Sequence, residues 1–183
     1  YVIDVYRGQV AVQRSLRDFA LYVALFPQLI AGPIVRYKEL EWQLGQRRLR
    51  ASAMAAGVRW FLYGLAKKVL IADTAARAAE AIFALPDEAI DLRLAWVGVL
   101  AYTIQIYFDF SGYSDMAVGI GRLLGFRFPQ NFRHPYGSRT ITEFWRRWHR
   151  TLSGWFRDYL YLPLGGNRGR AWRTARNLWI VFL

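Results

Sequence analysis

The chain has 183 residues, with 25 Lys and Arg against 13 Asp and Glu for a formal net charge of +12; hydrophobic residues make up 55% of it and aromatics 17%. Such an apolar chain can bury too much surface to stay disordered, and without cysteine it has no disulfide, no thiol nucleophile and no Cys-ligated zinc. What remains is a membrane protein with basic loops or a nucleic-acid binder, and the distribution along the chain separates the two.

The chain opens at Tyr1 without an initiator Met and stops inside the apolar run Leu178–Leu183, so it reads as a fragment. Phe19–Val35 is seventeen residues without a charge, near the lower limit for crossing a bilayer. Pro27 and Gly32-Pro33 interrupt it. Its flanks are net basic, +3 −2 over residues 1–18 and +5 −2 over 36–50. That pattern predicts a re-entrant hairpin with both ends on the cytoplasmic side; the alternative is a buried helix–turn–helix in a soluble core.

Ala51–Asp73 reads as a helix, with Val58, Phe61, Leu62, Leu65, Val69 and Ala72 in one stripe and Lys67-Lys68 interrupting the apolar run. Residues 73–93 carry five acids and two bases. Leu94–Gly121 contains only Asp109 and Asp115 as charges and is the best spanning candidate; Gly121 and Gly125 form a small-xxx-small pair. Residues 127–157 then carry seven Arg against one Glu. The excess of basic residues places 36–50 and 127–157 in the cytoplasm and 73–93 opposite, with the two intervening helices running out and back. No stretch alternates with a strand's period, so the fold class is all-α.

Thr140-Ile-Thr-Glu143 reads as a capping box opening a helix towards Pro163. At 100° per residue, Ile141, Phe144, Trp145, Trp148, Leu152, Trp155, Phe156 and Tyr159 share one face. Arg146, Arg150, Ser153 and Arg157 lie opposite, with His149 at the margin. Such a helix suits a membrane interface, where His149 is incidental, or the wall of a polar cavity. In the second case His149 serves as general base or orienting group, since an imidazole titrates near neutral pH. The surrounding Arg residues would favour a phosphate-bearing acyl donor.

In Tyr107-Phe-Asp-Phe-Ser-Gly-Tyr-Ser-Asp115, ionisable groups at membrane depth point to a function, with Asp109 and Asp115 as structural partners of Arg residues the alternative. Asp109 and Asp115 are six residues apart and do not share a helix face, which leaves paired-carboxylate chemistry unsupported. No G-x-S-x-G elbow or phosphate-binding glycine motif appears. Leu164-Gly-Gly-Asn-Arg168 reads as a turn rather than a phosphate cradle.

The segments Phe26–Tyr37, Tyr107–Asp115, Phe126-Arg-Phe-Pro-Gln-Asn-Phe132, Thr140-Ile-Thr-Glu-Phe-Trp-Arg-Arg-Trp-His149 and Trp155–Arg168, with the opening Tyr1–Gly8, follow one another in order. Together they resemble the bacterial membrane-bound O-acyltransferase (MBOAT) family, in its alginate O-acetyltransferase branch. The resemblance implies that residues 1–183 are part of a single domain of that family, truncated at both ends. It implies a polytopic, multi-pass protein of the cell inner membrane, with helices ringing a narrow passage and re-entrant and interfacial helices beside it. An acetyl group would pass from a cytoplasmic thioester, acetyl-CoA or another acyl thioester, to a hydroxyl acceptor, with no tightly bound cofactor and no metal.

The implied partners are membrane lipid, extracytoplasmic acetyl-relay proteins and an exopolysaccharide, not nucleic acid. His149 matches one family histidine; the principal one is expected in a Leu-Trp-His-Gly-like segment just after Leu183. Asp109, Ser111, Asp115, Asn131, Trp145, Arg146, Arg147, Trp148, Arg150, Arg157 and Asp158 are the expected substrate-binding or passage-lining residues. Rival readings are a D-alanyl transferase acting on teichoic acid, a non-enzymatic membrane conduit and an Arg-rich nucleic-acid binder. A need for detergent would oppose the last.

Overall fold

The computed structural model describes residues 1–29 and 32–182. Among them every regular element is a helix or helical turn, and no strand occurs, as the all-α reading expects. The chain forms two compact units, Tyr1–Pro129 and Gln130–Leu183.

The first unit begins with α1 (Val2–Tyr6) and α2 (Leu16–Ala24), whose N-terminus is capped by the Ser15 hydroxyl. The helix stops before Pro27, which opens a 3-10 turn over Phe26–Gln28. The interruption expected at Pro27 is therefore present. Residues 30 and 31, the centre of the expected hairpin, lie outside the described residues. In α3 (Tyr37–Gln46), Tyr37, Leu40 and Leu44 fall on one face and join Val10, Leu25, Val35, Val118, Phe126 and Phe128 in a core. Buried Gln43 fastens this core at its edge: its Oε1 accepts from Arg127 N at 2.7 Å, and its Nε2 donates to Glu39 O at 2.8 Å.

A long helical hairpin follows. α4 (Ala51–Ala66) continues through a π-turn at Lys67–Ala72 into α5 (Asp73–Phe83). The helix expected to end at Asp73 thus runs ten residues further. Its last stretch is rich in alanine, the strongest helix former, and this outweighs the charges. Asp91 accepts from Leu94 N at 2.8 Å and starts α6 (Leu92–Leu123), 32 residues and about 48 Å long.

The two arms meet at glycines spaced two turns apart. A Cβ on Gly57 would lie 2.8 Å from Gly119 O, and one on Gly112 would lie 2.7 Å from Gly64 O. The backbones touch there, and no side chain fits between them. Gly121 and Gly125 act differently from the expected helix-packing pair. The Phe128 ring covers Gly121, while Gly125 takes φ +83° and ends α6: Phe126 N donates to Gly121 O and Gly125 N to Arg122 O.

The hairpin encloses small residues and a few polar ones and turns large apolar side chains outward. Gly57, Gly64, Ser111, Gly112, Ser114, Asp115 and Gly119 are buried, whereas Val58, Leu62, Val69, Trp96, Leu100 and Ile104 are exposed. The expected stripe is exposed at Val58, Leu62, Leu65 and Val69, partly buried at Phe61 and enclosed at Ala72. Water would penalise such a surface at roughly 25 cal/mol per Å², while hydrocarbon would not. Charge follows the same axis. Arg47, Arg48, Arg50 and Arg122 gather at the end where α4 begins and α6 finishes, and Asp87, Glu88 and Asp91 lie in the turn at the other end.

The second unit contains a 3-10 turn (Pro135–Gly137), α7 (Ile141–Arg147), α8 (Arg150–Phe156) extended by a π-turn over Arg157–Tyr161, and α9 (Ala171–Phe182). The Thr140 hydroxyl accepts from Glu143 N at 3.1 Å, and Glu143 reaches back to Arg139 N at 2.9 Å, a capping box displaced by one residue. The single helix expected from Thr140 to Pro163 is broken at Trp148-His149, so one wheel does not describe its faces. Leu164–Arg168 is a turn, as expected. Asn177 of α9 holds it by donating to Leu164 O and Gly166 O, both at 3.1 Å.

Candidate functional site

His149 sits at the break, with φ 40° and ψ 54°. Left-handed backbone is uncommon outside glycine, although histidine is among the side chains that tolerate it, and it persists only where surroundings impose it. Here they do. Arg150 N donates to Asn131 O at 2.9 Å, Thr151 Oγ1 to Asn131 Oδ1 at 2.6 Å, and Arg133 N to Arg147 O at 2.9 Å. The Phe132 ring stands edge-on to Trp148 with centroids 5.0 Å apart, and Trp148 stacks on Phe144 at 5.7 Å.

The turn makes His149 the N-cap of α8: its Nδ1 accepts from Leu152 N at 3.2 Å. A neutral imidazole has one accepting and one donating nitrogen, so this bond assigns the proton to Nε2. Burial pushes the pKa below its ordinary value of 6.5, opposed in part by the residue's own backbone carbonyl. The ring is therefore held neutral, with its proton on Nε2.

The neighbouring expected site residues fall into distinct environments. Arg147 pairs with Glu143 and donates to His134 O at 3.3 Å, so its guanidinium is engaged within the unit. Arg146 and Arg150 are exposed cations on either side of the turn. Arg157 and Asp158 pair with each other at 2.7 Å. The Trp145 ring rests against Phe182 with centroids 5.6 Å apart. The structure thus gathers Asn131, Arg147, Trp148, His149 and Arg150 around one turn. Sequence reasoning did not single out Thr151 and read Leu152 only as part of the apolar face; the signal for its cap was an acceptor-capable residue three positions before its amide inside an apparently continuous helix.

Asp109, Ser111 and Asp115 belong to the first unit. Lys67 Nζ reaches Asp115 Oδ2 at 2.6 Å with both side chains nearly enclosed, and Lys68 Nζ reaches Asp109 at 2.8 Å and Asp73 at 3.0 Å. The partners are the adjacent lysines of the π-turn rather than Arg residues. Ser111 and Ser114 are fully buried, and their hydroxyls make no hydrogen bond among the described residues. Buried hydroxyls without partners carry a desolvation cost of about 1–3 kcal/mol each, unusual in a finished core.

One helix among the described residues, Leu92–Leu123, is long and apolar enough to cross a membrane. Together with the large apolar side chains exposed along the hairpin, it fits a helix that meets lipid. Residues 10–183 match the membrane-bound O-acyltransferase family profile, and the chain belongs to that family.

It is 54% identical over its full length to the probable alginate O-acetylase of Pseudomonas aeruginosa, of which it covers 35%. It is 48% identical over 171 residues, 91% of the chain, to the peptidoglycan O-acetyltransferase of Helicobacter pylori, of which it covers 32%. The teichoic acid D-alanyltransferase of Bacillus subtilis is more distant, 29% identical over 167 residues, 88% of the chain and 41% of that protein. The chain therefore spans about a third of the length of the alginate O-acetylases it matches.

Proposed function

We propose that this chain is the His149-bearing part of a multi-pass inner-membrane O-acyltransferase that moves an acetyl group from a cytoplasmic thioester to a polysaccharide hydroxyl, as in alginate O-acetylation. The carrying observation is the half-buried, neutral His149, capped through Nδ1 and with its proton on Nε2, in a chain 54% identical throughout to alginate O-acetylases. The higher identity to acetyl-transferring relatives favours acetyl over D-alanyl transfer. The basic end of the hairpin supports a cytoplasmic placement of residues 47–50 and 122–127. The buried Lys67–Asp115 pair and the unpartnered Ser111 and Ser114 support a polar path beside α6.

In the reaction, the acceptor oxygen attacks the thioester carbonyl carbon, the C–S bond breaks and the thiol leaves with a proton. His149 Nε2–H donates to the carbonyl oxygen, whose charge grows as the tetrahedral intermediate forms. Taking the acceptor proton at Nε2 would require a hydrogen on Nδ1 and loss of the Leu152 bond. Proton removal therefore falls to another base, and the family resemblance implies a second histidine for it. Arg146 and Arg150 are exposed cations suited to donor phosphates. Periplasmic relay proteins would take the acetyl group onward to the polymer.

The test replaces His149 with Ala in the full-length protein. Polymer acetylation is expected to fall by about 10²–10³-fold, with membrane insertion and expression unchanged. Unaltered acetylation would overturn the assignment.

A further inference from the structure

The segment Asn131–Arg133 intercepts the hydrogen-bond ladder of what would otherwise be one helix. In a continuous helix from Thr140 onward, Thr151 N–H would donate to Arg147 C=O and Arg150 N–H to Arg146 C=O. Here Arg147 O instead takes Arg133 N–H at 2.9 Å, Arg150 N–H goes to Asn131 O at 2.9 Å, and Thr151 N–H goes to Asn131 Oδ1 at 3.3 Å. The Thr151 hydroxyl seals the same oxygen at 2.6 Å. Residues 131–133 thus pry α7 from α8, and the residue left at the gap is His149.

We propose that Asn131 is a positioning residue for His149, fixing the left-handed turn that ties up Nδ1 and presents Nε2–H; this rests on the role given to His149 above. The chemistry of the side chain fits that role. Its single carbonyl oxygen receives both Thr151 donors, which leucine or alanine cannot do, and a carboxylate there would bury a charge. Asn131 is 1% exposed, and its Nδ2 is enclosed with no partner among the described residues. A buried amide donor left unsatisfied costs stability, and stability alone does not favour such a residue at this position. Without the Asn131 Oδ1, Thr151 N–H loses its acceptor and competes with Arg133 N–H for Arg147 C=O, which pulls the segment towards the helical ladder that the sequence on both sides favours. The ring would then swing from the cap into a helical register, losing its bond to Leu152.

The experiment uses the full-length membrane protein carrying Asn131→Ala, Thr151→Val or Thr151→Ser, beside His149→Ala, with steady-state acetyl transfer measured against donor concentration. Asn131→Ala and Thr151→Val should lower kcat, the first by about a hundredfold, as small misplacements of a reacting group do. KM for the donor should stay within about twofold. Thr151→Ser, which restores the hydroxyl, should return kcat to within about twofold of the parent.

A well-folded Asn131→Ala protein with parental kcat overturns the proposal, as does a change confined to KM. If Asn131→Ala does not fold, the Thr151 pair decides: a serine variant as impaired as the valine variant overturns it. His149→Ala separates the two readings. Unaltered transfer in that variant removes the role of His149 itself, whereas an inactive His149→Ala beside a fully active Asn131→Ala removes only the positioning.

Discussion

In the hairpin of α4, α5 and α6 the backbone satisfies itself within each helix, and the arms exchange side-chain charge, bare glycine contact and ring packing such as Phe83 against Tyr102. Around His149 the backbone is the bonding partner: amides of residues 133, 150, 151 and 152 each find an acceptor outside a regular helical ladder. The difference follows from what each region must hold. A pair of helices in hydrocarbon can carry polar side chains only where backbones come close and charges neutralise one another. A reactive imidazole must be aimed, and irregular backbone aims a side chain more narrowly than a helix face does. The first region should therefore be sensitive to charge and volume, and the second to the loss of single acceptor atoms.

The largest expected effect tests the charge half of that contrast. Lys67→Met leaves the Asp115 carboxylate enclosed without its partner at 2.6 Å. Removing one member of a buried pair costs about 3–5 kcal/mol. Thermal unfolding of the detergent-solubilised full-length protein should show a loss of that order. The double variant Lys67→Met/Asp115→Leu should recover most of it, because the charge no longer has to be buried. A double variant no more stable than Lys67→Met alone would show that the pair is not the source of the loss.

The volume half predicts a smaller loss. On Gly64 even one methyl would strike Gly112 O and lie 2.7 Å from Met116 N, both backbone atoms that no rotamer change can move aside. Gly64→Ala should cost about 1–3 kcal/mol, the usual range for overpacking. Gly45→Ala has open space around it and should cost little. Equal losses at the two glycines would mean that the arms do not depend on backbone approach.

These contrasts also explain what could be read in advance. Helix identity, the long charge-free run of α6 and the break at Pro27 were legible because composition and proline act locally. The outward facing of Val58, Leu62 and Val69 was not, since a stripe has the same period whether it meets a core or lipid. The partners of Asp109 and Asp115 lie more than forty residues upstream and become neighbours only through the hairpin. His149 was legible as a candidate, but its turn was hidden. Thr140–Phe156 has good local helix signals throughout, and the break is imposed by residues 131–133 through tertiary hydrogen bonds, which no window of local sequence contains.

The smallest effect tests the cap itself, and its sign follows from the direction of the His149 pKa. Burial holds the folded value below 6.5, so the unfolded chain binds the proton first as pH falls. Stability from the neutral ring is therefore complete above about 6.5 and drains away below it, down to the folded value. The chemistry agrees: a protonated Nδ1 becomes a donor and faces the Leu152 N–H, another donor, across 3.2 Å. Hydrogen exchange of the Leu152 amide, corrected for intrinsic rate, should accelerate between pH 7 and 5 by the equivalent of a lost N-cap, about 1 kcal/mol.

His149→Asn sharpens the test, because asparagine tolerates left-handed backbone and caps helices with an oxygen that does not titrate. Protection of Leu152 in that variant should be flat over the same range. A parent protein equally flat would mean that Nδ1 does not accept that bond, and the tautomer assigned to His149 would have to be reversed.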